Sequence, residues 1–513
     1  MRVTRLPCGF LVLIVLVASA GLAQAEVRLP SIFSDHMVLQ QDMPVPVWGW
    51  ADPGEKVTVE IAGQQKSATA DNDGRWSLKL EALKPAEPTT LRVRGGNTIE
   101  ISDVLVGEVW LCSGQSNMAW TVSQAKDFEE EQKAAELPQI RMFTAERTPA
   151  ETPQTDVRGQ WVVCSPETVG QFSATGYFFG RRLHKELKVP VGLINSSWGG
   201  TPVQAWTSIE AHQATPELRP LVIALEEQIA KWDSAEAKER FEKQLAKWKE
   251  VAAKAKKGGE QAPKRPQPPL DPHLSQHSPA RLYNGMITPL APFAIRGAIW
   301  YQGESNAGNA PLYGVQLRTM IANWRKLWQQ GEFAFLYVQL PNFMAAQQAP
   351  SETAGWPIIR EQFLETLEYP NTGMAVGIDV GEADNIHPKD KQTIGWRLAQ
   401  WALAKFYGKD MPASGPLYRS MTKRDGKIVI EFNHVAGGLK AKGDKLEGFA
   451  IAGPNQYFHW ADAVIEGDTV VVSSPEVADP VAVRYAWANN PKANLYNQAE
   501  LPASPFRTDD WEN

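Results

Sequence analysis

The sequence predicts an α/β protein built on a parallel sheet, with β-rich regions at both ends. Three observations predict it. Between about residues 103 and 410, apolar runs of strand length alternate with stretches of helical period, as in a parallel sheet covered on both faces. On either side, residues 26–102 and 411–513 carry short segments of period-two alternation between turn signals, as in antiparallel sheets with one face in water. The composition is globular: 43% of the 513 residues are hydrophobic and 21% charged, which excludes disorder along most of the length.

The elements follow in chain order. Arg2 and Arg5 precede the apolar run Gly9–Leu22, and Ala23-Gln24-Ala25 is a small-x-small site. This is the pattern of an export signal cut after Ala25, so residues 1–25 are read as a signal peptide and the protein is expected to be secreted or periplasmic. The run is short for a membrane span, and no later run reaches spanning length. The net charge of −6 gives no basic excess, so a nucleic-acid partner is not expected. In 26–102, Lys56–Ile61 and Trp76–Leu80 alternate with period two around the turn Asp71–Gly74, which predicts a small β-sandwich.

In 103–410, strands are predicted at Val104–Leu111, Val189–Ile194, Gly297–Tyr301, Phe333–Leu340 and Met374–Val380, and helices at Ala174–Leu187, Val315–Trp328 and Thr393–Phe406. Residues 216–257 interrupt this alternation. Leu218, Leu225 and Trp232 recur every seven residues among Lys and Glu, which predicts a long amphipathic helix or a helical hairpin, read as a solvated insertion. In 411–513, Lys427–Phe432, Thr469–Val472 and Pro480–Tyr485 read as strands of a C-terminal β-rich domain.

Chemistry is expected just beyond the strand C-termini, where parallel sheets place their ligands. Ser113-Gly114-Gln115-Ser116-Asn117-Met118 ends one strand with two hydroxyls in a small-residue turn. It is not the G-x-S-x-G turn of α/β-hydrolases. Asp384-Asn385-Ile386-His387-Pro388 follows another, with a carboxylate three residues before an imidazole, a spacing that lets the one orient the other toward a serine. Ser197-Trp198-Gly199-Gly200-Thr201 follows a third, and its glycines allow backbone N–H groups to approach a ligand closely. Trp300-Tyr301-Gln302-Gly303-Glu304 ends a fourth, where the Gln302 amide can face an oxyanion.

Together these four segments resemble the sequence blocks of the SGNH hydrolase superfamily, in particular the sialate O-acetylesterases. Phe33–Gln40, Asn494–Asn497 and Pro505–Thr508 are similar to the same family, so the resemblance spans nearly all of the chain after residue 25. It implies a flavodoxin-like α/β/α SGNH esterase domain over 103–410, between the N-terminal β-sandwich and the C-terminal β-rich domain. It implies Ser116 as nucleophile, His387 as base and Asp384 as its orienter. The oxyanion hole would be the Ser116 N–H, a glycine N–H at Gly199 or Gly200, and the Gln302 side chain, with Asn306 as the alternative third donor. Gln115, Asn117, Trp198 and Glu304, within the same blocks, are expected to bind substrate.

The implied substrate is an acetylated carbohydrate, and the implied acyl transfer requires no metal or organic cofactor. Acetylated xylan or another polysaccharide is the alternative to a sialate, and a glycan-binding protein with a vestigial centre is the alternative to an enzyme. Trp198, Trp206 and Tyr301 lie beside the motifs as candidate sugar-stacking rings. A sialate carboxylate would favour a bidentate Arg, and the sequence singles none out. Cys112 and Cys164 are expected to form a disulfide bracing the nucleophile turn, with two separate buried thiols as the alternative.

Overall fold

A computed structural model of the chain describes residues 26–352 and 355–511. The expected signal peptide and its cleavage site lie outside these residues. Among the described residues, no helix is long and apolar enough to cross a membrane.

The central sheet runs, edge to edge, Thr372–Val376, Ala334–Gln339, Gly297–Tyr301, Thr98–Gly114, Val191–Ser197, Ile140–Thr144 and Trp161–Val163. The first six strands are parallel. Trp161–Val163 pairs antiparallel with Ile140–Thr144, so the sheet is mixed, whereas a parallel one was expected. Ile140–Thr144 escaped the sequence reading because it carries a charge at its second position, and Trp161–Val163 because it is only three residues long. Arg141 is nevertheless buried, and its guanidinium donates to the carbonyls of Pro138 and His36 while pairing with Asp103 at 2.9 Å.

Helices Ala174–Leu187 and Lys391–Trp401 cover one face of the sheet, joined by a core that includes Phe178, Phe179, Leu183, Ile394 and Leu398. Tyr313–Trp328 and Gly355–Glu365 bury Leu317, Met320, Trp324, Ile359 and Phe363 in a second core. Each such side chain contributes roughly 1.5–3 kcal/mol by leaving water.

The expected junction at 102/103 falls inside one strand. Thr98–Gly114 begins half-exposed and is buried without interruption from Val104 onward. Its first part pairs antiparallel with Thr89–Arg94 in the N-terminal region, and its last part lies between Val191–Ser197 and Gly297–Tyr301. The change of pattern near residue 103 therefore marks a change of surroundings along a continuous strand. Val57, Val59 and Leu91 of the N-terminal region belong to the same core as Trp300 and Phe335.

The insertion is two helices, Arg219–Ala230 and Ser234–Gly258, joined by a short turn, and the first buries Val222 and Leu225. Asp233 caps the second helix by accepting from the N–H groups of Ala235 and Glu236.

The C-terminal region holds two four-stranded antiparallel sheets around Ile430, Val470, Phe449, Tyr485 and Phe506. Arg360 joins this region to the central sheet. Its fully buried guanidinium donates to the carbonyls of Leu340 and Pro341 on one side and Ala488 and Asn489 on the other. Burial lowers its pKa to about 9.

Cys112 and Cys164 are both free thiols, buried apart. Cys112 lies on the central strand and Cys164 directly follows the edge strand Trp161–Val163, three strands away. At about 4.8 Å per strand this is about 14 Å, twice the roughly 7 Å limit for bridged Cα atoms. The expected disulfide is thus excluded by strand order, and burial raises both thiol pKa values.

Candidate active site

Three adjacent strands in the middle of the sheet end at one place. Gly114 closes the central strand, Ser197 closes the strand on one side, and Tyr301 closes the strand on the other. The chain fills one side of the central strand before crossing to the other, which opens a crevice at this switch point. Gly114 has φ +140, and a Cβ there would lie 2.2 Å from the Tyr301 carbonyl oxygen. Only glycine lets the strand turn this close to its neighbour. Gln115 then donates its N–H to that same carbonyl, and Ser116 opens a single helical turn.

His387 Nε2 lies 2.8 Å from Ser116 Oγ. The histidine arrives on the loop after Thr372–Val376, an edge strand three positions from the centre, and so reaches back across the sheet. Its main chain is pinned by Asn385, which accepts from the His387 N–H and donates to the His387 carbonyl. Trp120, which the sequence reading did not single out, stacks on the imidazole with ring centroids 4.8 Å apart and planes 14° from parallel. Burial, and then the positive charge of Lys391, hold the imidazole pKa below its ordinary 6.5, so the ring is neutral near pH 7. Ser113, the other serine of the turn, is fully buried on the strand and cannot meet a substrate.

Asp384, three residues before His387, is exposed and makes no hydrogen bond or ion pair with the ring in this structure. The expected orienting contact is therefore missing here.

The Trp198–Thr201 turn packs against the serine. A Cβ on Gly199 would lie 3.3 Å from Ser116 Cβ, so the Gly199 backbone abuts Ser116, and Gly200 takes φ +75. Trp198 donates its N–H to the Gly114 carbonyl, and Thr201 Oγ1 donates to the Trp198 carbonyl.

The Gln302 amide, expected to face the oxyanion, is spent elsewhere. It donates to the Thr201 carbonyl and to Asn306 Oδ1, and its oxygen accepts from the Tyr313 hydroxyl. Asn306, the alternative donor, gives its amide to Gln204 and Gln316. Both residues are buried, and a buried amide takes whatever partners the interior supplies. Gln302 supports the glycine turn from beneath.

Three of the four expected substrate-binding residues also face inward. Gln115 is buried and accepts from the Ser305 N–H. Asn117 is fully buried and bonded to Glu304, Lys391 and the Ile386 carbonyl. Glu304 ends in a carboxylate with one oxygen on Asn117 and the other buried without a partner among the described residues. Trp198 is half-exposed at the crevice; Glu304 is also half-exposed as a residue, but its carboxylate is turned inward onto Asn117. Trp206 and Tyr301 are fully buried and cannot stack on a sugar; the Trp206 indole N–H instead donates to Thr201 Oγ1.

A cation that the sequence reading missed stands nearby. Arg147 is exposed, donates from Nε to the Ser197 carbonyl at 3.2 Å, and has no carboxylate partner among the described residues.

The family of carbohydrate esterases described as sialic acid-specific acetylesterases matches residues 106–253 and 272–404. The chain belongs to this family. It is similar to the sialate O-acetylesterases of Rattus norvegicus, at 29% identity over 98% of this chain and 97% of the relative, and of Homo sapiens, at 29% over 93% and 92%. A carbohydrate acetylesterase from Xanthomonas citri, known by crystal structure, is similar at 36% identity with a TM-score of 0.80, covering 95% of this chain and all of the other. This carbohydrate esterase is thus a carboxylic ester hydrolase. The family match passes over residues 254–271, which comprise the end of the helix Ser234–Gly258 and the segment returning from it.

Proposed function

We propose that this esterase removes O-acetyl groups from carbohydrates through an acyl-enzyme on Ser116. The observation that carries the reading is the 2.8 Å contact between Ser116 Oγ and His387 Nε2 at the sheet's switch point. His387 takes the serine proton as Oγ attacks the acetyl carbonyl carbon. The N–H groups of Ser116 and of the adjoining Gly199–Gly200 turn receive the developing oxyanion; each such donor is worth about 2.7–4 kcal/mol in the transition state. The carbon–oxygen bond to the sugar breaks, and the sugar alcohol leaves with the proton from His387. Water deprotonated by the same ring then attacks the acetyl-serine, acetate leaves, and the proton returns to Ser116.

Asp384 completes the reading as third member of the triad. An imidazolium forms during turnover beside the positive Lys391 and calls for a compensating carboxylate. Asp384 has no competing partner among the described residues and shares the loop of the ring it would orient. The corresponding fold reading is the SGNH hydrolase type, supported by the placement of four sequence blocks beyond four strand ends. Export follows from the basic, apolar and small-residue order of 1–25, and the exported protein should begin at Glu26 by N-terminal sequencing.

For the substrate we propose an O-acetylated sialate, as the family and curated relatives indicate. Arg147 at the crevice is the cation suited to the sialate carboxylate. The test is a panel of O-acetyl sialate, acetylated xylo-oligosaccharide and longer-chain aryl esters, assayed with the wild type and Arg147→Ala. Sialate should be turned over with the highest kcat/KM, and Arg147→Ala should raise KM for sialate about tenfold while leaving the neutral esters unchanged. A preference for xylo-oligosaccharide would move the substrate to a neutral polysaccharide, and a preference for long acyl chains would reject the carbohydrate reading.

A further inference from the structure

Beneath the Ser116–His387 pair lies a chain of polar groups that the acyl-transfer steps do not use. Lys391 Nζ donates to Asn117 Oδ1 at 2.6 Å. The Asn117 amide donates to Glu304 Oε1 at 2.6 Å and to the Ile386 carbonyl at 3.1 Å. Asn117 directly follows the nucleophile, and Ile386 directly precedes the histidine. One buried amide therefore ties the serine turn to the histidine loop.

The placement of Lys391 is costly on three counts. Its side chain is buried, with its ammonium over the faces of Tyr301 and Trp120, 5.2 and 5.9 Å from their centroids. It occupies the first position of the helix Lys391–Trp401, where the helix dipole disfavours a cation. Among the described residues it forms no ion pair with a carboxylate, since Asn117 stands between it and Glu304. Glu304 is correspondingly strained: its Oε2 is buried with no hydrogen-bond partner among the described residues. Local rules broken together at one point mark function more often than packing.

We propose that Lys391, Asn117 and Glu304 form a buried bridge that holds His387 against Ser116 and sets a positive charge within reach of the imidazole. Lys391 is in this sense a positioning residue. It acts on the ring from beneath through its charge, and through Asn117 and the Ile386 carbonyl. Because the charge disfavours imidazolium, it keeps the ring free to take the serine's proton. Burial lowers the Lys391 pKa to about 7 and raises that of Glu304, with Glu304, Glu382 and Asp390 as the carboxylates acting on the lysine. The imidazole itself contacts Ser116 and Trp120, and the Lys391 ammonium lies over the Trp120 ring that stacks on it and acts on the imidazole through its charge.

The inference rests on the Ser116–His387 reading, and the test keeps the two apart. His387 is titrated by NMR in the wild type, Lys391→Met, Glu304→Gln and the double variant, with no substrate present. Each variant is then assayed for kcat and KM from pH 5 to 9 with an acetylated aryl ester, and its folding is checked by thermal melt. With Lys391→Met the His387 pKa should rise by at least half a unit. The acid limb of kcat/KM should move up by the same amount, because more of the ring is protonated at a given pH. At pH 6 kcat should fall about two- to threefold for a half-unit shift, with KM nearly unchanged. Glu304→Gln should move the limb the same way, since a lysine without its counter-charge loses its proton. The double variant should lose less than the sum of the two singles.

If Lys391→Met fails to fold, Glu304→Gln and the double variant carry the test. An unmoved His387 titration in the folded variants overturns the proposal, as does a rate loss equal at every pH. Full turnover by Ser116→Ala would instead overturn the underlying reading and leave the titration result standing.

Discussion

Ser116 stands at the end of the innermost strand, on a turn whose backbone is shaped by Gly114 and bonded to the neighbouring strand through Tyr301. His387 stands on a loop leaving the outermost parallel strand, about 14 Å to the side at the usual strand spacing. The loop is held by side chains from other parts of the chain. Asn342 Oδ1 accepts from the Gly381 N–H, and its amide donates to Asn490 of the C-terminal region. The Met344 N–H donates to the Ala383 carbonyl. Asp379, at the root of the loop, is held bidentately by Arg397 and receives the hydroxyl of Tyr496 from the C-terminal region. One half of the site is thus made by local backbone geometry and the other by distant side chains. This gives the C-terminal β region a use: it fastens the loop that carries His387.

Variants on the two sides should separate these roles. The largest effect is expected from Ser116→Ala, which should lower kcat by about 10⁶-fold while the melting temperature stays within a few degrees. Steady-state rates on an acetylated aryl ester check it, and near-normal turnover would remove the serine half from the chemistry. Next comes Asp384→Asn on the histidine side. If the carboxylate meets the ring during turnover, kcat should fall about 10²–10⁴-fold with little change in KM. A loss below threefold would mean that His387 works with Ser116 as a pair, as the unliganded geometry has them.

The smallest effect is expected from Tyr496→Phe, which removes one distant fastening of the histidine loop. It should cost about 1–2 kcal/mol of stability in denaturant unfolding and less than tenfold in kcat. No change in either would show that Arg397 alone holds Asp379, and would loosen the link between the C-terminal region and the site.

The sequence by itself determined the elements whose signal is local. Gly297–Tyr301 and Ala174–Leu187 lie where their apolar patterns put them, because burial on one stripe or along a whole strand leaves a periodicity that can be read residue by residue. The four strand-end segments that bear Ser116, Trp198–Gly200, Gln302 and His387 were legible for the same reason, since each is a short turn after an apolar run. Tertiary structure alone decided what the polar side chains in those turns do. Asn117, Glu304 and Gln302 sit in motifs that face a crevice, yet each points inward. A side chain's direction depends on which buried partners remain unsatisfied nearby, and those partners come from residues up to hundreds of positions away. The same holds for Arg141, whose charge hid a strand that acceptors on His36 and Asp103, far along the chain, make possible, and for Cys112 and Cys164, whose separation is set by strand order. Periodicity is written along the chain, whereas the satisfaction of buried hydrogen bonds and charges is settled only when the chain has closed on itself.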